Sequence, residues 1–200
     1  MSRLRAGWME EKIGDIAKFS QGKQVGLKDQ ERAPQEGYVR FVRIVDYTQN
    51  TDDIRYIKDP GERYHVFEDD IIMVRYGTPG LIGRGIAGVI ANNLFKISIE
   101  VDHISKDYLA LFLMQKSIQD FLSSRGAVAM PALNFGHLKD LPVYFPSLIE
   151  QKHIVDQLVV LQNKTQSLEK IYQQQLSALL ELKQSIFNKV FKGELSIDLN

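Results

Sequence analysis

The stretch "LPVYFPSLIEQKHIVDQL", residues 141–158, carries two prolines, Pro142 and Pro146, and after them the chain has neither proline nor glycine until Gly193. Proline fixes its own φ and biases the residue before it away from the helical region, so this pair keeps the segment extended. Ser147 then stands three residues before Glu150, the S-x-x-E spacing of a capping box that satisfies free N–H groups at a helix start. A chain held extended and then released into an uninterrupted helical pattern marks a boundary. The spacing predicts a domain over residues 1–146, a long helix over 147–192 stopped by Gly193, and a short tail over 193–200.

Downstream of the boundary the apolar residues alternate three and four apart: Ile154, Leu158, Leu161, Leu168, Tyr172, Leu179, Leu182 and Ile186, with Thr165 and Gln175 in the two remaining seam positions. Sustained over this many heptads, the pattern reads as a helix-to-helix seam rather than the stripe of a surface helix. At 1.5 Å per residue the helix would be roughly 65–70 Å long, too long for the preceding domain to cover. Part of the seam therefore needs a second helix, and the commonest solution is a twofold homodimer. Thr165 and Gln175 either fix the register of that pairing or are tolerated at its edge.

Upstream, the texture is short apolar runs between glycines. Residues 38–45 alternate as a half-buried strand, and residues 70–76 read as a buried strand ending at Gly77. Residues 87–90 and 94–99 are further strands, split by a turn at Asn92-Asn93. Apolar positions between Ser105 and Ser123 recur at helical spacing, predicting one helix packed on the sheet. The expected fold class is α+β: a mixed-sheet domain followed by one long C-terminal helix that forms an antiparallel coiled coil with a partner.

The chain has 200 residues, 44% hydrophobic and 25% charged, which fits one core plus an appendage. No apolar run is long enough to span a membrane, and the start lacks the apolar core of a secretory signal. The absence of cysteine excludes disulfides, thiol catalysis and cysteine-ligated zinc, and fits a cytoplasmic location. A formal net charge of zero argues against an indiscriminate polyanion binder while leaving room for a local basic patch.

Signals of catalysis do not hold. Gly83-Arg84-Gly85-Ile86-Ala87-Gly88 spells G-x-G-x-x-G, but Val89-Ile90-Ala91-Asn92-Asn93 after it look like strand and turn, not the helix a dinucleotide site requires. The four histidines, His65, His103, His137 and His153, do not pair at metal-ligand spacing. Glu181-Leu182-Lys183 imitates part of a nuclease motif, but it lies on the heptad helix, where an exposed ion pair explains it.

Three stretches, and with them the chain's ending, resemble the specificity subunit of type I restriction–modification enzymes. "GWMEEKIGDIAKFSQGKQ" (7–24) looks like the opening of its target-recognition domain, and "DDIIMVRYGTPGLIGRGIAGV" (69–89) is similar to its strand-then-loop segment. "RGAVAMPALNFGHLKDLPVYFPSLIEQKHIVDQL" (125–158) resembles the end of that domain and the start of the spacer helix, and "ELKQSIFNKVFKGEL" (181–195) the helix's close. The family's usual subunit has two recognition domains and two long antiparallel helices. This sequence has one of each, so it looks like a half-subunit or half of a larger protein.

The resemblance implies sequence-specific binding of double-stranded DNA, each recognition domain reading half of a split target, with no catalysis by this chain. It implies DNA methyltransferase subunits using S-adenosylmethionine and a restriction/translocase subunit using ATP and Mg as partners, these cofactors being bound there and none by this chain. A homodimer, or a pair with a second half-specificity subunit, would hold two recognition domains apart by more than one turn of DNA, about 34 Å. Base edges are read chiefly by Arg, Lys, Asn and Gln, and phosphates are held by cations and loop N–H groups. On that chemistry the candidate DNA-binding residues are Gln21, Lys23 and Gln24; Arg40 and Arg43; Arg75, Tyr76 and Arg84; and Arg125, Asn134, His137 and Lys139. Each taken singly fits a solvated surface group, and Tyr76 fits the core equally well. Two other readings stand beside this one: the recognition module of a fused type II restriction–modification protein, and a helix-mediated scaffold without a DNA role.

Overall fold

The computed structural model describes residues 5–49, 52–124, 133 and 135–194. It falls into two compact units, Met1–Val155 and Asp156–Asn200. In chain order the elements are β1 (Met9–Lys12), α1 (Ile13–Ile16), β2 (Ala17–Gln21), β3 (Tyr38–Val42), α2 (Val45–Thr48), β4 (Arg55–Lys58), β5 (His65–Val66), β6 (Ile71–Val74), β7 (Ile82–Gly83), β8 (Gly88–Ile90) and β9 (Leu94–Ile99). Then come α3 (Lys106–Met114), α4 (Lys116–Ser124), α5 (Phe135–Lys139), β10 (Pro142–Phe145) and α6 (Leu148–Phe191), with 3-10 turns at Leu27–Asp29 and Glu62–Tyr64.

Two four-stranded sheets make the body of the first unit. One runs β2-β9-β6-β7, wholly antiparallel; the other runs β4-β3-β8-β5 and is mixed, β3 and β8 being parallel. Alternation along β6 explains its unbroken apolar run. Ile71 and Met73 enter a core shared with α1, α3 and α5, while Ile72 and Val74 enter a second core with Val42, Val66 and Ile90 of the other sheet. A strand buried on both faces has no place for a polar residue. The far face of the mixed sheet carries a third cluster, Phe41, Ile57, Val89 and Ala91, against which Val25, Val39 and Tyr64 pack.

The predicted strand over 38–45 ends at Val42, because Ile44 already has helical φ and ψ and leads into α2. The single helix expected over 105–123 is two. Its break is Gln115, extended at φ −59° and ψ 137°. The Gln119 amide donates to the Leu113 and Gly80 carbonyls, satisfying a group the break exposes and tying it to a distant loop. The glycines at Gly83 and Gly88 belong to strands β7 and β8, so the G-x-G-x-x-G run opens no helix.

At the boundary, β10 pairs antiparallel with β1, and α6 starts at Leu148. Ser147 Oγ donates to Glu150 Oε2 at 2.9 Å, so the two capping-box side chains meet each other. Gln151 is fully buried: its Oε1 accepts from the Ser105 N–H (2.9 Å) and its Nε2 donates to the carbonyls of His103 (2.8 Å) and Pro146 (2.9 Å). With Ile154 and Val155 packed on the first core, this latch seats the first two turns of α6. The helix ends in a Schellman motif. Gly193 lies at φ +72°, its N–H donates to the Val190 carbonyl, and the Glu194 N–H donates to the Lys189 carbonyl. No helix among the described residues is long and apolar enough to cross a membrane.

Candidate nucleic-acid interface

Three strand ends converge where the chain leaves β8 and enters β9 through Asn92-Asn93. After β2, Gly22 N–H donates to the Leu94 carbonyl and Lys23 N–H to the Ile90 carbonyl. After β6, Arg75 N–H donates to the Asn93 carbonyl, and from the same corner Ala91 N–H donates to the Val42 carbonyl at the end of β3. A Cβ on Gly22 would lie 2.2 Å from the Ala91 carbonyl oxygen, so only glycine lets these two backbones approach. Parallel pairing of β3 with β8 and antiparallel pairing of β2 and β6 with β9 bring together segments far apart in sequence.

The side chains at this corner are those of base and phosphate recognition. Gln21 Nε2 donates to the Asn92 carbonyl (3.0 Å), and Asn92 Nδ2 lies 3.5 Å from Gln24 Oε1. Lys23 Nζ stands 5.2 Å from the centre of the Tyr64 ring, against which Arg63 also packs at 4.4 Å. The bond from Arg63 to the Tyr64 hydroxyl holds that phenol below its ordinary range. Arg75 lies over the rings of Tyr76 (5.0 Å) and Phe135 (5.6 Å), and Phe135 stacks in turn on Phe19. Arg75 Nε and Asn93 Oδ1 have no hydrogen-bond partner among the described residues. The backbone corner thus carries amides, a lysine set against Tyr64 on the side of the third cluster, and an arginine set against Phe135 on the side of the first core.

Other candidates are otherwise engaged. Arg43 donates from its backbone N–H and Nε to Asp46 (2.7 and 3.3 Å) and from its guanidinium to the Asp53 carboxylate and carbonyl, while Arg40 approaches Asp46 at 3.6 Å. The Asp46 carboxylate is almost wholly buried, so this ladder of alternating charge is part of the frame. Beneath it burial drives the Tyr47 phenol far above its ordinary range. Arg84 is bound to Asp107 and to the Asp69 carbonyl, away from the corner. Lys139 is exposed on α5, which packs against α1 at Gly14. Arg125 and Asn134 lie outside the described residues; His137 is placed on α5 by its backbone, and its side chain is not among those described. Sequence reasoning did not single out Tyr64, Arg63, Asn92 or Asn93. The Asn-Asn turn was visible as a turn, but nothing local says that three other segments meet it.

On α6, Leu158, Leu161, Leu168, Tyr172, Leu179, Leu182 and Ile186 are exposed, as are Thr165 and Gln175, whereas Ile154 is packed on the domain's own core. Thr165 Oγ1 donates to the Leu161 carbonyl, so its hydroxyl is satisfied within its own helix. Leu176, Leu180, Phe187 and Phe191 are also exposed. At 100° per residue they fall within about 60° of one another, widening the apolar face of the C-terminal half beyond a two-position seam.

Residues 5–178 match the family described as Type I restriction modification DNA specificity domain. The chain belongs to that family. This specificity-family chain is 30% identical over 169 residues to the Type I restriction enzyme EcoBI specificity subunit of Escherichia coli, covering 79% of this chain and 36% of that one. In fold it is similar to a chain from work on complex assembly and conformational transition of the type I R-M system, with TM-score 0.79, 18% identity and coverage of 97% of this chain and 48% of that one. It is also similar to the HsdS subunit from Thermoanaerobacter tengcongensis, with TM-score 0.70, 17% identity and coverage of 97% and 47%. At these identities the likeness is one of fold. The chain spans about half the length of these solved relatives and 36% of the curated one.

Proposed function

We propose that this chain is a non-catalytic DNA reader of a type I restriction–modification enzyme. Residues 1–146 read one half of a bipartite target in double-stranded DNA, and residues 147–192 form a spacer that pairs with a second long helix, the tail following from 193. The observation that carries the reading is the family match over residues 5–178, which spans the two-sheet unit and most of α6. The corner built from Gln21, Lys23, Gln24, Arg75 and Tyr76 supports it chemically: amides and a held arginine suit base edges, and the lysine suits a phosphate. Arg40 and Arg43 act by fixing the frame through Asp46. Arg84, Arg125, Asn134, His137 and Lys139 complete the candidate set.

The exposed apolar face of α6 supports pairing, since a single helix leaves leucines, a tyrosine and phenylalanines in water. We assign it to a homodimer with antiparallel helices, presenting two recognition units to inverted half-sites. Methyltransferase and restriction/translocase subunits, carrying S-adenosylmethionine, ATP and Mg, would be directed by this assembly in the cytoplasm. A mobility-shift selection from duplexes randomised over the half-sites tests the reading. Recovery of a defined, split sequence supports it; recovery of the starting pool unchanged refutes it. Sedimentation tests the pairing separately: a dimer is expected at micromolar concentration, and a monomer contradicts it.

A further inference from the structure

Leu27 is 80% exposed at the tip of the β2–β3 connection, and the surroundings make it a built feature rather than a loose loop residue. The part of the connection that carries Leu27 is flanked by isolated bridges, Lys23 to Ala91 in parallel and Glu31 to Tyr56 antiparallel. Between them the 3-10 turn closes with Asp29 N–H donating to the Gly26 carbonyl and Gln30 N–H to the Leu27 carbonyl, and the Gln30 amide donates to the Val25 carbonyl. Val25 is anchored on the third apolar cluster. Gly26 and Asp29, on either side of Leu27, line a groove of about 370 Å³ whose cations are Lys23 and Lys58; Lys28 adds a third on the turn itself. Of the groove's two carboxylates, Asp59 is taken up by His65 Nε2 at 2.8 Å and by the Gly61 N–H. That leaves an apolar prong on a hydrogen-bonded turn, flanked by Lys23, Lys28 and Lys58 and by one carboxylate, Asp29.

We propose that Leu27 is a wedge that inserts between adjacent base pairs of duplex DNA, while Lys23, Lys28 and Lys58 hold the flanking phosphates. The inference rests on the DNA-reading function proposed above and adds to it a mechanical step: partial unstacking and bending of the bound duplex, as apolar side chains do when they enter a base step. It also gives specificity at a step without any hydrogen bond to a base, because base steps differ in how easily they open.

The test uses the full chain and a duplex recovered from a randomised pool by the wild-type protein, with 2-aminopurine placed at successive positions. Binding should raise the fluorescence at one step. Leu27→Ala should abolish that rise and weaken binding about tenfold, with the slope of log affinity against log salt unchanged. Lys23→Ala should instead keep the rise and lower the slope by about 0.9 for the lost phosphate contact. Leu27→Met should restore the rise. Because Leu27 is outside every apolar cluster, Leu27→Ala keeps its fold, which circular dichroism verifies. Binding without a rise at any position overturns the wedge alone, and so does Leu27→Ala with full rise and affinity, which leaves the prong to a protein partner. Failure of the wild type to bind any duplex overturns the DNA-reading function, and the wedge with it.

Discussion

Gln151 is the residue on which the junction between sheet and helix depends most. Replacing it by leucine keeps the volume but strands the Ser105 N–H and the His103 and Pro146 carbonyls in a buried place. Gln151→Leu should therefore lose about 2–4 kcal/mol of stability, read as a lower urea midpoint; an unchanged midpoint would mean that water replaces the latch. Asp53 makes a different prediction. Hydrogen bonds from Arg55 and then Arg43 hold its carboxyl below the usual aspartate range. A carboxyl with a lower pKa folded than unfolded stabilises fully above its unfolded value, about pH 4, and that contribution is lost as pH falls through the depressed folded value. The difference in Tm between wild type and Asp53→Asn should be constant at neutral pH and shrink once pH falls below the ordinary aspartate range, about pH 4, towards the depressed folded value. A difference that persists in acid would assign the effect to packing instead.

Among the elements, the β2–β3 connection is as demanding as any strand. Gly22→Ala drives a methyl into the Ala91 carbonyl and should cost about 1–3 kcal/mol while weakening DNA binding, measured by thermal melting and mobility shift. For α6, Leu179→Gln with Leu182→Gln should raise the dimer dissociation constant more than about a hundredfold, since each change acts twice across a twofold interface, and leave the two-sheet unit folded. Sedimentation equilibrium reads the first effect and circular dichroism the second. These elements differ in how plainly the sequence announces them. α6 is legible because nothing from Ser147 to Lys192 breaks a helix and Gly193 stops it. β6 is legible because four consecutive apolar residues serve two cores. The break between α3 and α4 is not, because glutamine is at home in a helix and the compensating bond reaches Gly80, a residue no local window contains. The site obeys the same rule. Gln21, Lys23, Gln24 and Arg75 are recognisable by type, but their meeting at Asn92-Asn93 is a product of sheet pairing. Arg43 and Arg84 look free in sequence, and only the fold shows the aspartates that engage them.

At the scale of the molecule, zero net charge fits the proposed sequence-specific DNA binding if individual cations, rather than a massed basic face, meet the phosphates. Lys23, Lys28, Lys58 and Arg63 stand around the β2–β3 connection among Asp29, Glu31 and Asp59, so the charge there is mixed, while other acids are paired with cations, as Asp69 is with Lys106 and Asp107 with Arg84. Weak non-specific attraction with tight specific contacts should give this protein a larger ratio of specific to non-specific affinity than a basic protein of its size. The measurement that bears most directly on the central claim is a pair of binding isotherms, for the selected duplex and a scrambled one, across a range of salt. A specific reader should hold the selected duplex at least about a thousandfold more tightly, with the gap surviving at salt that abolishes scrambled binding. Two curves that coincide and fall together with salt would contradict it.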